Sequence, residues 1–202
     1  MAWRKAIVAS FIWLVANDVA GAAFAFAAQP FLTFEIGFFF IASLLAGFVF
    51  GVAQWLALRP FFRDVRLWAP ATIVASPLSW TVALMFAGLT FGLGGWLGGG
   101  FSAAVQSVVL AMSARNDELS LKLSFLWIPA SVIGGALFYV CYYWGAGALG
   151  PGTGLNYYLT ASPSDWIFLG SLGYAVVTVP CVALLVAVAG RKSAPKPALV
   201  TP

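Results

Sequence analysis

Six long apolar runs recur along the chain, separated by short polar or Gly/Pro-rich breaks; they cover about 6–28, 36–58, 67–86, 96–113, 123–147 and 166–190. Each approaches or exceeds the ~20 residues a helix needs to cross a bilayer. None alternates apolar and polar positions in the manner of a membrane β-barrel strand. The pattern predicts an all-α, polytopic membrane bundle of six transmembrane helices. It forms one domain over 1–190, followed by a disordered cytoplasmic tail over 191–202, where RKSAPKPALVTP carries little to bury.

The breaks have local causes. Pro30 stops the first helix and Pro70 sits in the first turn of the third, while Pro77 predicts a kink. Gly92 to Gly95 permit a tight turn. SARNDELSLK reads as a polar loop, and a Gly/Pro-rich stretch runs to Pro163. The basic start and Ala25-Phe26-Ala27 give the first run some look of a signal peptide. Its length and the central Asn17-Asp18 pair favour a retained helix.

The runs repeat one another. Gly47, Gly51, Gln54 and Leu58 share one helix face, and Gly99, Ala103, Gln106 and Leu110 repeat it. Ser171, Ala175 and Thr178 form a weaker third copy. In the odd-numbered runs AIVAS (from Ala6), TIVAS (from Thr72) and SVIGG (from Ser131) match, and Leu67-Trp68 matches Leu126-Trp127. Three tandem two-helix repeats are expected, related by a rotation axis along the membrane normal. Small residues at this spacing let helices approach closely, and a glutamine then bonds across the contact. Gln54 and Gln106 are therefore expected as polar packing residues, with solute lining as the alternative.

The run Gly47-xxx-Gly51-xx-Gln54-Trp55-Leu56-x-Leu58-Arg59 resembles small multi-pass bacterial membrane proteins of uncharacterised function built from such hairpins. The resemblance implies a fold and an inner-membrane location and brings no activity. In size and helix number the chain also resembles the substrate-capture subunits of energy-coupling-factor vitamin transporters, although the hairpin repeat is not their signature.

Composition supports the membrane reading: 62% of residues are hydrophobic and only 8% charged, against about a quarter charged in soluble domains. The net charge of +4 does not point to nucleic acid, because the basic residues sit in short segments between apolar runs. All ten fall on one side, at Arg4, Lys5, Arg59, Arg63, Arg66, Arg115, Lys122, Arg191, Lys192 and Lys196. That bias puts both termini in the cytoplasm. Trp3, Trp55, Trp68 and Trp127 are expected at the inner interface, and Trp96, Trp144 and Trp166 at the outer one. Arg59, Arg63 and Arg66 are expected to anchor on lipid headgroups or a partner.

Chemistry is sparse. The chain has no histidine and two cysteines, Cys141 and Cys181, in separate apolar runs, so no metal site or cofactor is expected. No Ser/His/Asp set, HExxH or P-loop supports an enzyme. Asp18 stands out because a midplane carboxylate is costly unless protonated or bonded. Asn17, Ser79, Thr81 and Thr178 lie at matching depth, so a midplane polar layer around Asp18 is expected. Two functions follow. One is a non-catalytic accessory or scaffold subunit packing against membrane-protein partners, a second copy or lipid. The other is a small-solute or ion transporter using the Asp18 layer.

Overall fold

The computed structural model describes residues 2–28, 36–62, 65–87, 93–114, 118–145 and 163–191. They form six helices: α1 (Ala2–Ala28), α2 (Ile36–Leu58), α3 (Trp68–Ala87), α4 (Leu93–Ala114), α5 (Glu118–Gly145) and α6 (Pro163–Arg191). The fold is all-α, as the six runs predict. Among the described residues three helices, over Trp3–Ala27, Phe40–Leu58 and Leu169–Val188, are long and apolar enough to cross a membrane.

Several helices outrun their apolar windows. α5 begins at Glu118 and takes in Lys122, so most of the stretch read as a polar loop is helix. α1 includes Arg4 and Lys5, and α6 reaches Arg191, the first residue of the expected tail. Hydropathy marks where the apolar medium ends. Helical hydrogen bonding does not stop there, because Glu, Leu, Lys and Arg are good helix formers. Gly94 and Gly95 belong to the first turn of α4 rather than to a turn between helices. The rest of the tail, the Gly/Pro-rich stretch over 146–162, Arg63 and Arg115 lie outside the described residues.

Each helix packs mainly against its chain neighbours, and α6 closes on α1, so the six make a ring. The glycines fix the direction of packing. A Cβ on Gly51 would meet Ala69 and Thr72, and one on Gly47 would meet Ile73 and Ser76, the latter at 2.7 Å. Numbers fall along α2 as they rise along α3, so the two are antiparallel. Gly99 approaches Ser131 and Gly135 while Gln106 bonds Trp127, and Gly170 approaches Phe138 and Cys141 while Gly134 approaches Tyr174, so α4–α5 and α5–α6 are antiparallel as well. Only a hydrogen side chain lets these backbones come so close, and the contact area gained replaces side-chain burial.

In an antiparallel ring the odd helices start, and the even helices end, at the same end of the bundle. The described cations Arg4, Lys5, Arg59, Arg66 and Lys122 therefore gather there. This is the basic end of the ring. The radial distribution is inverted relative to a water-soluble bundle. Asn17, Ser43, Gln54, Thr72, Ser76, Ser79, Gln106, Ser131 and Thr178 are buried, while Phe26 (83%), Met85 (70%) and Val74 (68%) are exposed. Polar groups bond inside the ring beside a buried aromatic core, and many other large apolar side chains face outward, an arrangement that an apolar solvent tolerates.

Candidate functional site

The centre of the ring near the basic end is filled by Trp13, Trp68 and Trp127, one from each odd helix, all essentially inaccessible. Their rings meet edge to face in a closed triangle, with centroids 6.4 Å (Trp13–Trp68), 5.4 Å (Trp13–Trp127) and 5.4 Å (Trp68–Trp127) apart. Each such contact adds about 0.5–1.5 kcal/mol beyond area burial.

An indole N–H buried in an apolar bundle needs an acceptor, and each even helix supplies one. Trp68 Nε1 donates to Gln54 Oε1 (3.2 Å), Trp127 Nε1 to Gln106 Oε1 (2.9 Å), and Trp13 Nε1 to Thr178 Oγ1 (2.9 Å). The even helices also bond backwards. Gln54 Nε2 donates to Asn17 Oδ1 (2.9 Å) and Gln106 Nε2 to Thr72 Oγ1 (3.0 Å). In α6 the second bond comes from a different residue: Tyr174, one turn from Thr178, pairs its hydroxyl with Ser131 Oγ at 3.4 Å. A threonine is too short to reach both neighbours, so α6 divides between two residues what one glutamine does in α2 and α4. The result is a hydrogen-bonded belt around a tryptophan plug.

Beyond the belt, away from the basic end, the axis opens into a cavity of about 90 Å³. Gln54, Thr72, Gln106, Ser131 and Tyr174 form its floor. Gly47, Ser76, Gly99, Ser102 and Gly135 leave room at mid-height, and Phe50, Trp80 and Phe138 form the far wall. Phe24 extends that aromatic layer, in ring contact with Phe50 (6.1 Å) and Trp80 (5.9 Å), while Phe50 meets Phe138 at 5.5 Å. The span from Thr72 to Trp80 on α3 makes the cavity roughly 12 Å deep at ~1.5 Å per residue. Among the described residues no charged side chain lines it.

The expected midplane layer is only partly assembled. Asn17 and Thr178 both adjoin Trp13, Asn17 donating to its carbonyl and Thr178 accepting from its indole. Ser79 is buried but bonds Ser102 between α3 and α4. Thr81 is exposed on the outer surface of α3, bonded to the Pro77 carbonyl of its own helix. Depth alone grouped these residues. The helix face, which turns by about 100° per residue, separates them. Asp18 is half-buried beside Asn17, with no hydrogen-bond partner for its buried Oδ1. It does not line the cavity.

Two further expectations need correction. Trp68 and Trp127 are not interfacial anchors but the centre of the plug. Trp3 and Trp55 stay at the periphery, Trp55 beneath the Arg59 guanidinium at 5.5 Å. Arg59 and Arg66 are exposed. The AIVAS match in the first run is also out of register: Asn17 rather than Ala6 stands level with Thr72 and Ser131, about three turns further on.

Trp13, Thr72, Ser131 and Tyr174 were missed as members of one site. A signal existed, since every odd helix carries a tryptophan followed four residues later by a small polar residue: Trp13–Asn17, Trp68–Thr72 and Trp127–Ser131. No protein-family model, curated protein or solved structure matches the chain.

Proposed function

We propose that this chain is a non-catalytic integral membrane protein that holds a small solute at the centre of its helix ring. In this reading all six helices cross the membrane as three tandem two-helix repeats about an axis along the membrane normal, with both termini on the cytoplasmic side. The equivalent roles of Gln54, Gln106 and the Thr178–Tyr174 pair support the repeat. The gathering of cations at one end supports the orientation.

The observation that carries the solute site is the central cavity, with neutral polar side chains at its floor and an aromatic wall at its far end. Concave, mainly apolar sites with a few convergent polar groups are where small molecules bind. A scaffold role drew its support from the small-residue faces. Gly47, Gly51 and Gly99 are occupied by neighbouring helices of the same chain, so those faces offer no partner surface. The site of the transporter reading moves accordingly from Asp18 to the cavity.

The test is purification from the native membrane in lipid nanodiscs, followed by native mass spectrometry. The expected result is a chain carrying a small molecule, which Ser102→Leu, filling the cavity, displaces. A partner protein at fixed stoichiometry, with nothing displaced by Ser102→Leu, would return the scaffold reading. Ser193→Cys, labelled only by reagents that reach the cytoplasmic face, checks the orientation.

A further inference from the structure

Resting on the solute-site reading, we infer that the cavity takes a small uncharged molecule with an apolar body and one hydrogen-bond-accepting oxygen. That oxygen lies on the Gln106–Tyr174 side of the floor, and the apolar body lies against Phe50, Trp80 and Phe138.

Size sets the first limit. About 90 Å³ is well above the ~10–15 Å³ that admits a single water, and far below the ~300–1,000 Å³ of sites for drug-sized ligands. Nucleotides and large cofactors do not fit. Charge sets the second limit. Among the described residues no acidic or basic side chain lines the cavity, and an ion taken there would lose its hydration without a countercharge.

The bonds around the floor set the third. Most polar atoms there already have short partners. Thr72 Oγ1 donates to the Trp68 carbonyl (2.9 Å), Ser76 Oγ to the Ser43 carbonyl (2.7 Å), and both glutamine oxygens accept from indoles. Two bonds are long: Gln106 Nε2 to Gln54 Oε1 at 3.5 Å, and Ser131 Oγ to Tyr174 Oη at 3.4 Å. Bonds of that length are weak. A ligand oxygen accepting from Gln106 Nε2 or the Tyr174 hydroxyl replaces a poor bond with a good one and leaves the short bonds of the belt intact. At the other end the described residues offer the rings of Phe50, Trp80 and Phe138, which suits carbon. Access from the basic end is closed by the tryptophan triangle.

Phenol is the probe: one ring, one hydroxyl. Its binding to the full chain in nanodiscs is measured by saturation-transfer NMR, with empty nanodiscs subtracted and benzoate and benzene as comparisons. The expected result is saturable phenol binding with no saturable benzoate binding. Tyr174→Phe, which removes only a hydroxyl, weakens phenol roughly fivefold, the scale of one neutral hydrogen bond. It leaves benzene unchanged. Ser102→Leu abolishes both, while near-ultraviolet dichroism of the tryptophans reports that the plug is still formed. Benzoate binding that Ser102→Leu removes overturns the ligand class and leaves the solute site standing. No saturable binding of any probe to a folded chain, or phenol binding indifferent to Ser102→Leu, overturns both.

Discussion

The two halves of the ring use similar small and polar residues and end with opposite characters. Toward the basic end the axis is solid: three indoles fill it and a belt of glutamine, threonine and asparagine ties them to the even helices. Away from that end the axis is hollow, because the odd helices there present Ser76 and Gly135 and the even ones Gly47, Gly99 and Ser102. The same six helices run through both halves. What differs is the bulk per layer at inward positions. A ring of six helices encloses more space than small residues fill, so only a layer of three tryptophans closes it. The polar groups follow from that closure, since each buried indole needs an acceptor.

Substitutions that remove bulk or bonds from the solid half should cost most. Trp68→Ala removes one side of the triangle and leaves Gln54 Oε1 without its main donor. It should lose about 3–5 kcal/mol, read as earlier unfolding in a titration of the detergent-solubilised chain with dodecyl sulfate. A cost no larger than that of Phe50→Ala, at the wall of the hollow half, would erase the contrast between the halves.

Gln106→Leu tests the belt alone. It strands the Trp127 N–H and removes the donor to Thr72, at a cost of about 1–3 kcal/mol. Leu has nearly the volume of Gln, so packing is close to unchanged, and the loss reports hydrogen bonding. Thr178→Val is the same experiment on α6, where two residues share the work of one glutamine. One indole loses its acceptor at unchanged shape, and the cost should be smaller, about 0.5–2 kcal/mol. Equal costs at Gln106 and Thr178 would mean that the divided arrangement in α6 is as strong as the single glutamine. Smallest of all is Asp18→Leu. The carboxylate has a buried oxygen without a partner and stands outside the cavity. Its replacement should change stability by no more than about 0.5 kcal/mol or raise it, and should leave phenol binding intact. Loss of binding would return the site to the Asp18 layer.

Much of the fold was legible because its signals are local. An apolar run of membrane length, a small-xxx-small face and a glutamine at fixed offset each depend on one helix, and Gln54 and Gln106 were readable as bonding residues for that reason. The polar layer around Asp18 was misjudged because depth along a helix is legible and direction around it is less so. Thr81 shares Ser79's depth yet faces outward. The tryptophans were misjudged because the preference of an amphipathic ring for the membrane interface is statistical. Trp68, at the first residue of α3, sits where an interfacial residue would be expected and still turns inward.

By itself the sequence determined the helical class, the number of apolar runs, the side on which cations collect and the faces that pack. These follow from solvent preference and backbone periodicity. Tertiary structure alone decided that α6 closes on α1, that three indoles separated by more than fifty residues meet at one level, and that a cavity remains above them. Ring closure fixes the radius, the radius fixes how much side-chain volume each layer needs, and that balance is a property of six helices together.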